Sequence, residues 1–386
     1  MSARSDRLKV VIVGAGLAGT LAARVLREKH DVTIYERNAD AAEGTKVFNK
    51  EGKLVMDSLK NYAQEYGADW LFQHRADLRD EFLRLATADP DTSGIPGRPA
   101  RVLWNSAVAG VDAEAGRIFL ESGEEVEADL IVAADGIKSR IRPHVVGDAA
   151  FTTARPSGLS AFRFTLDAGL VKERLGRTPD IMQPDQPVCL SMAYSFDGSM
   201  RSVVMYPCRN FQLLNFACIA PDSRLKNGSV ESWSASGDKE ELLDIFSDFP
   251  EWVLDYFKIA DHIKLWQLRD QDPLPTYVRG RTVLVGDAAH SMTPHQGQGG
   301  TQAVEDAEGF RLFLQDGVSR EDVPSILRDF DSVRRPRAST IQQNTRKALD
   351  KRTAEEVYTF EKVNWTYPGI LEGLALVKAG KSLVGL

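Results

Sequence analysis

Cysteine is scarce in this chain: there are three in 386 residues, Cys189, Cys208 and Cys218. They form no metal-type cluster and cannot all pair. A disulfide framework is therefore excluded, and a reduced, cytoplasmic protein is the simplest reading. Long apolar runs are lacking too. No stretch approaches the roughly 20 apolar residues of a membrane span, and the C-terminal run is broken by Lys378 and Lys381. An excess of positive charge is also absent. The 48 Lys and Arg are outnumbered by 55 Asp and Glu, for a net charge of -7, which argues against a nucleic-acid partner or a basic membrane patch. The polar stretch from Met1 to Lys9 leads straight into an apolar segment, so no signal peptide is expected. What remains is an ordinary globular composition, 43% apolar, in a chain long enough for two domains.

Two motifs far apart in sequence make sense only together. The first is Gly14-Ala15-Gly16-Leu17-Ala18-Gly19, placed after the apolar run Leu8 to Val13. Val10 to Val13 reads as a buried parallel strand, Gly16 to Glu28 as a helix, and Asp31 to Tyr35 as a second strand ending in Glu36-Arg37. A G-x-G-x-x-G turn of this kind lets backbone approach a pyrophosphate at the positive end of a helix. An acidic residue about 20 positions on suits the ribose hydroxyls of an adenosine. Taken alone, three glycines would mark no more than a turn, and the motif does not distinguish FAD from NAD. The second motif is Gly286-Asp287-Ala288-Ala289-His290, followed by Pro294 and Gly297-Gln298-Gly299-Gly300. An ionised Asp287 at a strand end can accept hydrogen bonds from the ribityl hydroxyls of a flavin. The amides of residues 296 to 300 can meet a pyrophosphate or the pyrimidine edge of the ring. The blander alternative for Asp287 is a helix cap. His290 and His295 lie in this turn without clustered Cys or carboxylate partners, so no metal is expected.

The texture of the chain alternates between two layers. Residues 1–43 read as a βαβ unit, and residues 68–145 return to the same layer. There Leu78 to Leu85 suits a helix, while Arg101 to Val111, Arg117 to Leu120 and Ala128 to Ala134 suit strands. From about 151 to 275 the segments alternate with period two, as in Leu190 to Ser195, Ser202 to Tyr206 and Leu213 to Ile219. That pattern implies an antiparallel sheet with one buried face. Thr282 to Val285 is again a short buried strand, and helices close the chain, among them Asp331 to Lys351. The expected organisation is an α/β protein with a discontinuous Rossmann-like FAD-binding domain over 1–150 and 276–350. A β-rich substrate domain, 151–275, is inserted in it, and a helical segment, 351–386, follows.

These motifs, together with Asp135-Gly136-Ile137-Lys138-Ser139-Arg140-Ile141-Arg142 and His74-Arg75-Ala76-Asp77-Leu78, resemble those of the class A FAD-dependent aromatic monooxygenases. The likeness is to the salicylate-hydroxylase-like branch with the para-hydroxybenzoate hydroxylase fold, and it covers nearly the whole chain. It implies non-covalent FAD, NADH or NADPH as a transient electron donor, and O2. A flavin hydroperoxide would then hydroxylate a phenolic or aromatic small molecule. It also implies that Gly14, Gly16, Gly19, Glu36, Arg37, Arg75, Asp287 and Gly300 contact FAD. A catalytic pair proposed for fungal relatives is an arginine in an A-Y/F-R segment and a tyrosine some thirty residues later, which Ala161-Phe162-Arg163 and Tyr194 match. An arginine favours a phenolate by Coulomb attraction. Equally, this pair could be a polar-face arginine and a core tyrosine.

The sequence departs from the family at one place. Between Glu36 and Arg75 such proteins carry a Gly-Ala-Gly stretch, a helix and a strand beside the flavin. Here Glu43-Gly44 runs directly into Thr45-Lys46-Val47-Phe48, as though a few tens of residues were missing between Gly44 and Thr45. Two alternatives therefore stay open. One is an epoxidase or decarboxylating hydroxylase of the same family, and the other a flavin-binding protein impaired in turnover. A halogenase is disfavoured, because the six tryptophans are scattered and no Trp-x-Trp-x-Ile-Pro stretch occurs.

Overall fold

The computed structural model describes residues 7–13, 17–36, 46–57, 66, 74–148, 151, 154–178, 189–209, 211–226, 235–347 and 352–383. In chain order the strands are β1 (Lys9–Val13), β2 (Asp31–Glu36), β3 (Val47–Asn49), β4 (Leu54–Met56), β5 (Arg101–Trp104), β6 (Val108–Asp112), β7 (Arg117–Leu120), β8 (Glu125–Glu127), β9 (Leu130–Ala133), β10 (Arg155–Asp167), β11 (Ser191–Tyr194), β12 (Ser202–Cys208), β13 (Leu213–Pro221), β14 (Lys264–Asp270), β15 (Val278–Arg279) and β16 (Thr282–Leu284).

A six-stranded sheet, ordered β15-β16-β9-β1-β2-β5, forms the first layer. Its central strands are parallel, and such strands are buried on both faces, so they read as unbroken apolar runs. Val10, Ile12, Leu130, Val132 and Val283 pack on one side against Ala22, Leu26, Phe310, Phe313 and Phe330. Val11, Val13, Ile131, Ala133 and Leu284 pack on the other against Ile118, Leu120, Ala288 and Ala338. The second layer is a seven-stranded sheet, β14-β10-β13-β12-β11-β3-β4. Its Phe162, Phe164, Ala193, Val203, Met205, Phe216 and Cys218 bury one face against the helices Lys239–Ile245 and Glu251–Ile259. The last helices, Ala354–Trp365 and Ile370–Lys378, return to the first layer, where Ile370 and Leu383 join its core.

The fold is the expected one, with local differences. β3 and β4 lie inside the 1–150 stretch yet extend the second sheet, where β3 pairs parallel with β11. The single strand expected over Arg101 to Val111 breaks at Asn105, whose φ is 55°. Asparagine tolerates that left-handed turn, and β5 and β6 then enter different sheets. The helix expected from Asp331 starts earlier and spans Val323–Thr345. Among the described residues, no helix is long and apolar enough to cross a membrane.

Candidate flavin and substrate site

Register brings the motifs together. Val13 pairs with Ala133, and Ala133 with Leu284. β1, β9 and β16 are therefore adjacent and end at the same edge, where Asp135-Gly136 and Gly286-Asp287 leave their strands. Ligands of open parallel sheets bind outside such carboxyl ends. Buried Arg142 ties these two turns together. It donates from Nε to Ala288 O at 2.7 Å and from Nη2 to Asp287 O at 2.9 Å, and its guanidinium also reaches Ile137 O. Asp135 accepts from the Arg140 amide at 2.8 Å, and burial raises its carboxyl above the usual range.

The Gly286-Asp287 turn is held from behind. Gly286 has φ 58° and ψ -143°, and a Cβ there would meet Ala18 Cβ at 3.2 Å, so glycine lets strand and helix close up. The Gly286 amide donates to Asp306 Oδ2 at 2.8 Å, and His290 Nε2 meets the same oxygen at 2.7 Å. Arg334 Nε donates to Asp306 Oδ1 at 2.9 Å and also pairs with Glu305. Arg337 donates to both Glu305 oxygens at 2.8 Å and to Val363 O at 2.7 Å. Desolvation pushes the Asp306 carboxyl up, but His290 and Arg334 outweigh it and hold the group below its ordinary value.

The residues present fit an FAD at this edge. The helix Gln298–Gly309 opens after Gly297, and the space that a Cβ on Gly299 would occupy is empty. Its first amides lack intrahelical partners and can face an anion. Gln296 Nε2 and Gln298 Oε1 are buried without a hydrogen-bond partner. Gly19 is buried in the first helix, Leu17–Leu26, and Gly300 lies in the first turn of the later one. Glu36 ends β2, beside Tyr35, which pairs with Val13. Arg75 opens the helix Arg75–Thr87, which Asp77 ties to Arg209 beside the second sheet through two 2.7 Å bonds. Gly14, Gly16 and Arg37 lie outside the described residues. Among the described residues, no group of three or more His, Cys, Asp or Glu could hold a metal ion.

The second sheet supplies a floor. Arg163, Ala217, Val204 and Met192 form one row across four strands, and all four are half-buried. Because Phe162, Phe164 and Ala193 face the aromatic core, strand alternation puts Arg163 and Tyr194 on the opposite face. Arg163 lies over the Trp266 ring at 4.9 Å. Tyr194 belongs to the next row, with Ser202, Ile219 and Ala161. Three strand spacings, about 14 Å, separate the strands of Arg163 and Tyr194, so the two side chains share a face without forming a direct pair.

The arginine electrostatically close to Tyr194 is Arg352. Burial pulls its guanidinium down, and the Tyr194 phenol and Glu356 push it back up. Arg352 also donates to Lys347 O at 2.7 Å and lies over Phe360 at 5.4 Å. Burial, then the charge of Arg352, lowers His295 in the glycine-rich turn to about 4. Arg352 thus lies within electrostatic reach of both Tyr194 and His295. Asn215 is buried on the floor's side, and its Nδ2 has no hydrogen-bond partner. Neither Arg352, Asn215 nor Asp306 was singled out from the sequence, because each matters through long-range packing and none sits in a motif.

A parallel dinucleotide-type sheet with a flavin-suited turn at its edge, joined in one chain to a second sheet with a half-open face, is the architecture of an FAD-dependent oxidoreductase. Comparison with known proteins narrows this. Residues 105–345 match the FAD binding domain family, and residues 9–96 match the FAD dependent oxidoreductases. The chain is 30% identical to hispidin-3-hydroxylase of Neonothopanus nambi, covering 88% of each chain. It is 31% identical to salicylate hydroxylase of Pseudomonas putida over 59% of this chain and 53% of the relative. Among solved structures, a salicylate hydroxylase substrate complex superposes with a TM-score of 0.70 at 24% identity, covering 98% of this chain and 95% of the other. HpxO of Klebsiella pneumoniae, complexed with FAD and uric acid, gives 0.71 at 21% identity, covering 96% and 97%. The chain belongs to the FAD-dependent monooxygenases.

Proposed function

We propose that this enzyme hydroxylates a phenolic or aromatic small molecule in the cytoplasm, using NADH or NADPH and O2. The half-open row Arg163–Ala217–Val204–Met192, with Tyr194 alongside, carries the reading. It offers an apolar floor with a cation and a phenol at its margins, and pockets for aromatic ligands combine apolar lining with a few placed polar groups. Salicylate hydroxylase and 3-amino-4-hydroxybenzoate 2-monooxygenase, both similar to this chain, are named for aromatic acids.

In this reading Gly14, Gly16, Gly19, Glu36, Arg37, Arg75, Asp287 and Gly300 hold FAD. Bound FAD supplies electron transfer and oxygen activation. Arg163, steadied by Trp266, attracts the substrate oxygen and favours its phenolate. The Tyr194 hydroxyl orients the substrate from the far side of the floor, and Asn215 donates to a polar substituent. A second reading, flavin binding with impaired turnover, rests on the short junction. Only residues 37–46 separate β2 of one sheet from β3 of the other. The test is to purify the protein with FAD and screen phenolic acids and acyl-phenols for stimulated NAD(P)H oxidation, with product mass measured. A yellow protein that a phenol stimulates supports hydroxylation. A protein that takes up no added FAD contradicts both readings.

A further inference from the structure

The helix Arg75–Thr87 is held at its two ends by different layers. At the C-terminal end Arg27, fully buried in the first layer, donates to Leu85 O at 2.9 Å and to Ala86 O at 3.0 Å. It also donates to Ala88 O, just past the helix, at 2.8 Å, and Ala86 lies in the core of that layer. At the N-terminal end His74 gives no side-chain cap, and a charged link leads to the second sheet. Asp77 accepts from Arg209 Nε and from Arg209 Nη2 at 2.7 Å each. This is the bidentate fork that gives an Arg–carboxylate pair its directionality. The hydrogen bonds from Arg209, against desolvation and with His74 assisting, hold the Asp77 carboxyl down to about 2, so the pair is ionised at neutral pH.

Arg209 makes this pair from a costly backbone position. It follows β12, and its φ is 51°. That left-handed region suits glycine and asparagine, and a long side chain is uncommon there. Residues held in such conformations cluster where function needs them. The strands on either side of Arg209, β12 and β13, bring Val204 and Ala217 to the floor, so the pair joins the floor hairpin to the helix. The two side chains are 48% and 40% exposed, and exposed pairs add little to stability. What this one supplies is orientation. Side chains two positions apart on a helix are rotated by about 200°. Asp77 faces Arg209, so Arg75 leaves the same first turn in nearly the opposite direction.

We infer that Arg209 is a positioning residue for the cofactor: through Asp77 it fixes the first turn of the helix Arg75–Thr87 and so sets Arg75 against FAD. The inference rests on the reading above in which Arg75 holds FAD. It makes the helix a strut between the substrate floor and the flavin, with its far end anchored by Arg27.

Fluorescence titration of the full chain with FAD, with thermal unfolding measured alongside, tests this. Asparagine suits the left-handed backbone, so Arg209→Asn should leave the melting temperature unchanged or raised. FAD affinity should nevertheless fall about three- to fivefold. Arg209→Lys keeps the charge but loses the fork, and should fall between. Arg75→Ala should weaken FAD binding by itself, and Arg209→Asn should then add nothing, because both changes act through one contact. If Arg75→Ala leaves FAD affinity unchanged, the reading of Arg75 fails and the inference falls with it. If Arg75→Ala weakens FAD binding but Arg209→Asn does not, or if the two losses add in full, the inference alone is overturned. It is overturned too if Arg209→Asn lowers affinity only together with the melting temperature.

Discussion

Asn215 is where folding and function separate most cleanly. Its buried Nδ2 has no hydrogen-bond partner, and such a group costs about 1–3 kcal/mol of desolvation. Asn215→Leu should therefore leave the melting temperature unchanged or raise it. If the amide donates to substrate, the same change should lower kcat/KM about tenfold. An unchanged kcat/KM would make Asn215 a packing residue. Arg163 offers a second separation: Arg163→Lys keeps the charge but loses the planar fork, and should impair hydroxylation more than charge alone predicts. For Asp287→Ala, the loss of charge-assisted hydrogen bonds should weaken FAD binding about ten- to a hundredfold in a fluorescence titration. Asp287 is a candidate in the sequence through its glycine-rich motif, and Arg163 and Tyr194 only through the family resemblance. Asn215 is hidden for a physical reason. On β13 both alternating sets are apolar, Leu214, Phe216 and Cys218 on one face and Leu213, Ala217 and Ile219 on the other, so periodicity cannot say which face is core. Arg352 is hidden because its relation to Tyr194 exists only once the C-terminal segment has packed.

At the scale of elements, the turn after β16 depends on a helix twenty residues later. Asp306 holds the Gly286 amide and is charge-balanced by Arg334. Asp306→Asn leaves Arg334 underpaired in the core, and breaking such buried pairs costs about 3–5 kcal/mol. Thermal unfolding of the apo-protein should show that loss, and FAD affinity should fall with it. Unaltered FAD affinity in a destabilised variant would confine Asp306 to stability. The same turn carries a pH response. His295 is held down to about 4 when folded, whereas an unfolded imidazole titrates near 6.5. The unfolded chain then takes up the proton first, so stability falls as pH drops from about 6.5 towards about 4, by roughly 1–3 kcal/mol. In His295→Gln that part of the slope should vanish from urea melts across this range. Buried parallel strands and the long helices were legible as elements, because burial on both faces and helical periodicity leave strong patterns. β10 was not, because Pro156, Ser157 and Gly158 interrupt its alternation where the register shifts between Pro156 and Ser160.

For the whole molecule, two layers were legible, but the path between them was not. A return of sequence texture showed that the nucleotide layer is discontinuous. Nothing in a three-residue strand shows which sheet it joins, so the place of β3 and β4 on the second sheet emerges only from pairing. That crossing coincides with the short junction after Gly44. If FAD binds but no phenol is hydroxylated, lengthening the chain there with a family-like segment should restore turnover. Failure of that rescue, with FAD bound, would favour a function other than monooxygenation. The most direct test of the central claim is to supply ¹⁸O₂ with NAD(P)H and a stimulating phenol, and to compare labelled product formed with NAD(P)H consumed. The account predicts one labelled oxygen atom in the product, with coupling that falls in Arg163→Ala as peroxide replaces product. NAD(P)H oxidation by the FAD-loaded protein without label in any phenol product would contradict it.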